Sequence, residues 1–81
     1  MTRRVVETGV KNVEVDEYKS YRVRVVSGYN ALADNWPAHL YLTRPGKSEE
    51  KVREYDLKSG SLHEAMDGGF TFATRMIDSE T

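Results

Sequence analysis

The sequence predicts an α+β fold: a three-stranded antiparallel β-meander with one C-terminal α-helix packed on one face (βββα), with an extra N-terminal strand as an option. Three observations lead there. Tyr21, Val23 and Val25 alternate with Arg22 and Arg24, and Trp36, Ala38, Leu40 and Leu42 alternate with His39, Tyr41 and Thr43, the period of two of half-buried strands. Clusters of Gly, Pro, Asn and Asp separate these runs. From Leu62 onward the apolar residues recur instead at i, i+3, i+4 and i+7, the helical period.

The first strand is expected over about residues 20–27, ended by Ser27-Gly28, with Tyr29 to Asn35 as a loop rich in turn formers. The second covers about 36–43. Its start is placed at Pro37, because a proline cannot donate to a ladder and belongs at a strand's beginning or on an outward position. Arg44-Pro45-Gly46-Lys47 then has the Pro-Gly centre of a type II turn. The third strand, about 50–57, has Val52 on one phase and Tyr55 and Leu57 on the other, which a bulge would reconcile. Lys58-Ser59-Gly60 closes it. Residues 1–16 are read as a flexible arm or a short extra strand, Val13 to Val15, and 17–81 as the single βββα domain.

The last segment requires a decision. Ser61-Leu62-His63-Glu64 fits a capping box, and Leu62, Ala65, Met66, Gly69, Phe70, Ala73, Met76 and Ile77 form one stripe. Against a helix stand Asp67-Gly68-Gly69, which resembles a turn, and Phe70-Thr71-Phe72, which has strand propensity. Two interior glycines cost about 2 kcal/mol relative to alanine. Burying several large side chains, at roughly 1.5–3 kcal/mol each, outweighs that. One helix over 62–78 is therefore expected, with Gly69 facing inward and letting the helix backbone approach the sheet. The expected core comprises Tyr21, Val23 and Val25, then Trp36, Ala38, Leu40, Leu42 and Leu57, and from the helix Leu62, Ala65, Met66, Phe70, Ala73 and Ile77.

Three markers run through this layout: Tyr18-x-x-Tyr21 at the first strand, Trp36-x-Ala38-x-Leu40 in the second, and Glu64-Ala65-x-x-x-Gly69-x-x-x-Ala73-x-x-x-Ile77-Asp78 along the helix. In these residues the chain, over about 18–78, resembles a group of small bacterial proteins of unknown function with a βββα core. The resemblance implies a helix that continues through the glycine pair, and it implies no activity.

The composition narrows function further. A length of 81 residues suits one domain, in which only about 60–65% of the unfolded surface becomes buried, so the core is thin. With no cysteine, disulfides and thiolate chemistry are excluded. A net charge of −1 argues against generic binding to a phosphate backbone. No apolar run approaches the roughly 20 residues of a membrane span, and the N-terminal stretch lacks a secretory apolar segment, so a cytoplasmic location is expected.

Residue type and spacing argue against four chemistries. His63 and Asp67 at i, i+4 have only a distant His39 to join them as a metal site. Ser61, His63 and Glu64 lie too close along one turn to align as nucleophile, base and orienter, and capping accounts for Ser61 and Glu64. An anion site at Gly60 and Ser61 would compete with that cap. Gly69-Phe70-Thr71-Phe72-Ala73 superficially matches an RNA-stacking strand motif, but its period is helical and Phe70 belongs to the core stripe. No enzyme activity, cofactor or metal is expected.

What remains is the sheet face opposite the helix. Arg22, Arg24, Val26, His39 and Tyr41 should share it, with Val52, Glu54 and Asp56 nearby, and ion pairing across strands is the simplest account of its charges. The expected function is a non-enzymatic protein-interaction module whose partner is an unidentified protein or a second copy, engaged through the open sheet face or an edge strand. The alternative is weak binding of single-stranded nucleic acid through Arg22, Arg24 and Tyr41.

Overall fold

The computed structural model describes residues 3–7, 11–32, 34–58 and 61–81, with side chains at all of these but 4, 6, 7 and 56–58. The chain runs β1 (Arg4–Glu7), β2 (Asn12–Tyr18), β3 (Tyr21–Ser27), β4 (Asn35–Thr43), β5 (Glu50–Lys58) and α1 (Leu62–Glu80). The strands form one antiparallel sheet in the order β1-β2-β3-β4-β5. This is an α+β meander with a C-terminal helix, extended by two N-terminal strands rather than one short one.

The extra strand expected at Val13 to Val15 is present within β2, which is longer than its sequence pattern suggests because its phase is inverted. Its register, Val13 opposite Val26 and Asp16 opposite Val23, puts the valines on the face away from the helix and Glu14 and Asp16 on the helix face. A strand whose apolar residues turn from the main core looks like a broken run. The hairpin that joins it to β3 is equally concealed: Lys19 and Ser20 both have positive φ, 50° and 70°, as a two-residue type I′ turn requires, yet neither is Gly or Asn.

β4 begins two residues before the expected proline start. Pro37 is tolerated inside it because the β3–β4 ladder ends at Ser27 opposite Ala38, and the Ser27 Oγ donates instead to the Pro37 carbonyl at 3.0 Å. The turn after β4 is as the sequence predicts, with Gly46 at φ 72° and Lys47 N donating to Arg44 O at 2.9 Å. The bulge expected in β5 is present. Leu40 pairs with Arg53 but Tyr41 pairs with Lys51, which leaves Val52 as the extra residue. Val52 packs against the helix-side core, so it is absent from the far face where the sequence placed it.

The helix is continuous through Gly68 and Gly69. Ser61, with extended backbone, accepts from Glu64 N at 3.2 Å and so caps the first turn. Ala65, Met66, Gly69, Phe70, Ala73 and Ile77 form the buried stripe, facing Tyr21, Val23, Val25, Leu40 and Leu42 of the sheet. Two expected core members are only half-buried: Leu62, at the helix start, and Trp36, which leans on Tyr29 with ring centroids 5.1 Å apart. The side chain of Leu57 lies outside the described residues.

Gly69 sets the distance between the two layers. A Cβ there would stand 2.8 and 2.9 Å from the Val25 methyls and 2.9 Å from the Tyr55 hydroxyl, whereas one at Gly68 would meet only Tyr55 Oη at 3.8 Å. That hydroxyl donates to the Ala65 carbonyl at 2.6 Å, so β5 is fastened to the helix at the point of closest approach. Gly69→Ala should therefore destabilise by about 1–3 kcal/mol through overpacking, although the helix propensity gain of about 1 kcal/mol partly offsets it. Gly68→Ala keeps only the propensity term and should stabilise by about 0.5–1 kcal/mol. Urea unfolding of the two variants beside the parent checks the opposite signs.

The other end of the helix is held by charge. Its last turn carries no basic residue to complement the dipole, and the sheet supplies the cations. Lys19 and the Tyr18 hydroxyl reach Asp78 at 2.8 and 2.9 Å. Arg44 grips Glu80 through two bonds of 2.9 and 2.8 Å, and Tyr21 adds a third of 3.1 Å. The hydrogen bonds from Lys19 and Tyr18 hold the Asp78 carboxyl below its ordinary value, and that from Arg44 does the same for Glu80. Both carboxyls bind protons more weakly when folded. Their contribution is complete above the unfolded carboxylate pKa of about 4 and is lost as pH falls through the folded values. The Lys19→Met, Arg44→Met double variant should show a shallower loss of stability than the parent between about pH 5 and pH 3, measured by thermal unfolding along that series.

Candidate interaction surface

The face opposite the helix gathers the five residues singled out in the sequence. The β3–β4 register sets Arg24 beside Tyr41, Val26 beside His39, and Arg22 beside Thr43, all on that side. The inverted phase of β2 adds Val13 and Val15, which the sequence reading did not place there. With Val26 they form a second small core, 4%, 1% and 9% exposed, and Tyr41 packs against it.

Most of this face is already engaged with itself. The Arg24 guanidinium lies 4.3 Å from the centre of the Tyr41 ring and donates twice to Glu49, at 3.1 and 2.8 Å. Glu49 precedes β5, so this bond reaches across β4. His39 Nδ1 is buried, with Glu54 Oε1 3.5 Å away and no hydrogen bond between them. Arg22 is exposed and forms no ion pair among the described residues. An open depression of about 620 Å³ crosses the face, with Lys11, Arg22 and Arg24 on its walls and Glu49 among them. The side chain of Asp56 lies outside the described residues. Cross-strand ion pairing, the simpler expectation for this face, holds for Arg24, with Glu49 as its partner.

A different place is less satisfied: the cleft between edge strand β5 and the helix. Arg53 and Tyr55 form one wall and Asp67, Gly68, Thr71, Phe72 and Arg75 the other, around a groove of about 570 Å³. The β5 bulge turns Arg53 toward the helix, where its guanidinium sits 4.3 Å above Phe72 and 5.8 Å from the Tyr55 ring. Burial raises the Tyr55 phenol pKa, and its hydroxyl donates to the Ala65 carbonyl. The helical positions 68, 71, 72 and 75 share one flank of α1, a spacing visible in the sequence. The bulge that brings Arg53 to them is a matter of pairing and was the hidden part.

His63 Nε2 pairs with Asp67 Oδ2 at 3.1 Å, and among the described residues no group of three His, Asp or Glu side chains stands together as a metal site. Ser61 is the helix cap, and Gly60 lies outside the described residues. Phe70 is 4% exposed in the core, with Arg3 4.9 Å from its ring centre. Among the described residues no helix is long and apolar enough to cross a membrane. The class these features define is an α+β domain with one helix-covered sheet face, a largely self-paired opposite face and, among the described residues, an edge strand β5 paired on one side. No protein family, curated protein or solved structure matches the chain.

The two far-face arginines should behave differently under substitution. Arg24→Ala removes a half-exposed ion pair and a cation–π contact and should cost about 1 kcal/mol. Arg22→Ala should stay within about 0.5 kcal/mol of the parent. Chemical denaturation of both single variants separates them.

Proposed function

We propose that this chain is a non-enzymatic protein-interaction module of the cytoplasm that works through the edge of its sheet along β5. One observation carries the reading: β5 is nine residues long, has a strand neighbour on one side only among the described residues, and is flanked by an open groove against the helix. An edge strand presents a row of backbone donors and acceptors that another strand can complete. β1, the opposite edge, is four residues long with a register irregularity between Val5 and Glu7.

The bulge and the charges of β5 also limit what pairs there. Lys51, Arg53 and Glu54, with the kink at Val52, are features that discourage indiscriminate strand addition. The regular stretch beyond the bulge, from Arg53 to Lys58, is the part suited to a partner of matching chemistry. Single-stranded nucleic acid on the far face is the weaker reading, because a base stacking on Tyr41 would have to displace Arg24 from both the ring and Glu49. The resemblance of residues 18–78 to small bacterial βββα proteins brings no activity with it and is compatible with an interaction role.

Random-peptide display against the folded chain, followed by amide chemical-shift mapping of selected ligands, tests the reading. Perturbations should cluster on β5 and the adjacent flank of α1. Ligands that instead perturb Arg22, Arg24 and Tyr41, or a failure to select any, would count against it. Sedimentation over a wide concentration range shows whether a second copy can serve as the partner.

A further inference from the structure

We infer that the β5–α1 groove takes an acidic peptide in extended conformation, added as a sixth strand beside β5 with its carboxylates held by Arg53 and Arg75. The inference rests on the edge-strand reading above and specifies the partner's chemistry.

Charge is the first ground. Among the described residues Arg3, Arg24 and Arg44 each have a carboxylate partner, at 2.8 Å for Arg3 to Asp67, 2.8 Å for Arg24 to Glu49 and 2.8 Å for Arg44 to Glu80. Arg22, Arg53 and Arg75 form no ion pair among those residues, and two of these three line the same groove. Among the described residues one carboxylate lines the groove, Asp67, and Arg3, from outside the groove, pairs with it at 2.8 Å. In a chain of net charge −1, that leaves a local site of positive sign.

Shape is the second. Gly68 presents bare backbone on the groove floor, and an alanine methyl there would touch only the Tyr55 hydroxyl at 3.8 Å. Phe72 and Tyr55 are half-buried and give apolar area to alternate side chains of an added strand. Arg53 already lies on the Phe72 ring, which holds its guanidinium in place before a carboxylate arrives. Backbone pairing along Arg53 to Lys58 would supply affinity and the two arginines the selectivity.

The test uses three eight-residue peptides of strand-forming sequence against the full chain: one alternating Glu with Val and Thr, one with Lys in place of Glu, and one acidic but N-methylated along the edge-pairing side. Fluorescence anisotropy at low and moderate salt reads binding. The first peptide should bind, with affinity falling as salt rises, and the other two should bind at least about tenfold more weakly. Arg75→Glu, at an exposed helix position, should weaken the acidic peptide by about tenfold and strengthen the lysine peptide, with an unchanged circular dichroism spectrum. Equal binding of acidic and lysine peptides with shifts on β5 overturns the inference while the edge reading stands. Binding that maps away from β5, or no binding by any peptide, overturns both. An oligothymidine that binds more tightly than the acidic peptide, with the same dependence on Arg75, reassigns the groove to nucleic acid and also overturns the inference.

Discussion

The close approach of the helix to β3 at Gly69 is the contact on which the rest of the structure depends. With the Val25 methyls under 3 Å from where a Cβ would sit, the helix backbone rests almost directly on the sheet. Ala65 and Ala73, one turn to either side, keep the same separation, and both are fully buried. A thin layer of side chains then suffices: Met66, Phe70 and Ile77 fill the space against Leu40, Leu42 and Val23. In a chain of 81 residues with no cysteine, that economy of volume replaces the covalent staples that small domains often need.

The same closeness shapes the surface. Because the helix lies low, its flank at Gly68, Thr71, Phe72 and Arg75 stands against β5, and Tyr55 can reach the Ala65 carbonyl. The bulge at Val52 does two things there. It gives Val52 to the core, and it brings Arg53 to the helix side, over Phe72. Fold and candidate site are thus joined through one register shift between Leu40 and Tyr41. The far face follows the opposite course: Val13, Val15 and Val26, with Arg24 across Tyr41, make a second core without a second layer.

The helix ends illustrate how sheet residues supply what the helix sequence lacks. At its start the cap is local, Ser61 to Glu64, and can be read from four consecutive residues. At its end Asp78 and Glu80 would oppose the helix dipole alone, and Lys19 and Arg44 from two separate hairpins counter them. No window of sequence contains both members of those pairs.

Amphipathic period, turn chemistry and capping are local, so the sequence by itself determined β3, β4, the Pro45-Gly46 turn and a helix unbroken by Gly68-Gly69. It even indicated the β5 bulge, from the conflict between Val52 and Tyr55. Tertiary structure alone decided the rest. Which face β2 turns to the helix depends on its pairing with β3, because a strand's period is visible in sequence and its phase is not. Whether Arg24 is an open cation or a paired one depends on Glu49 lying across β4, and the meeting of Arg53 with Phe72 depends on the bulge and the helix together. Contacts between residues far apart in the chain are set by register and layer spacing, which the order of residues does not display.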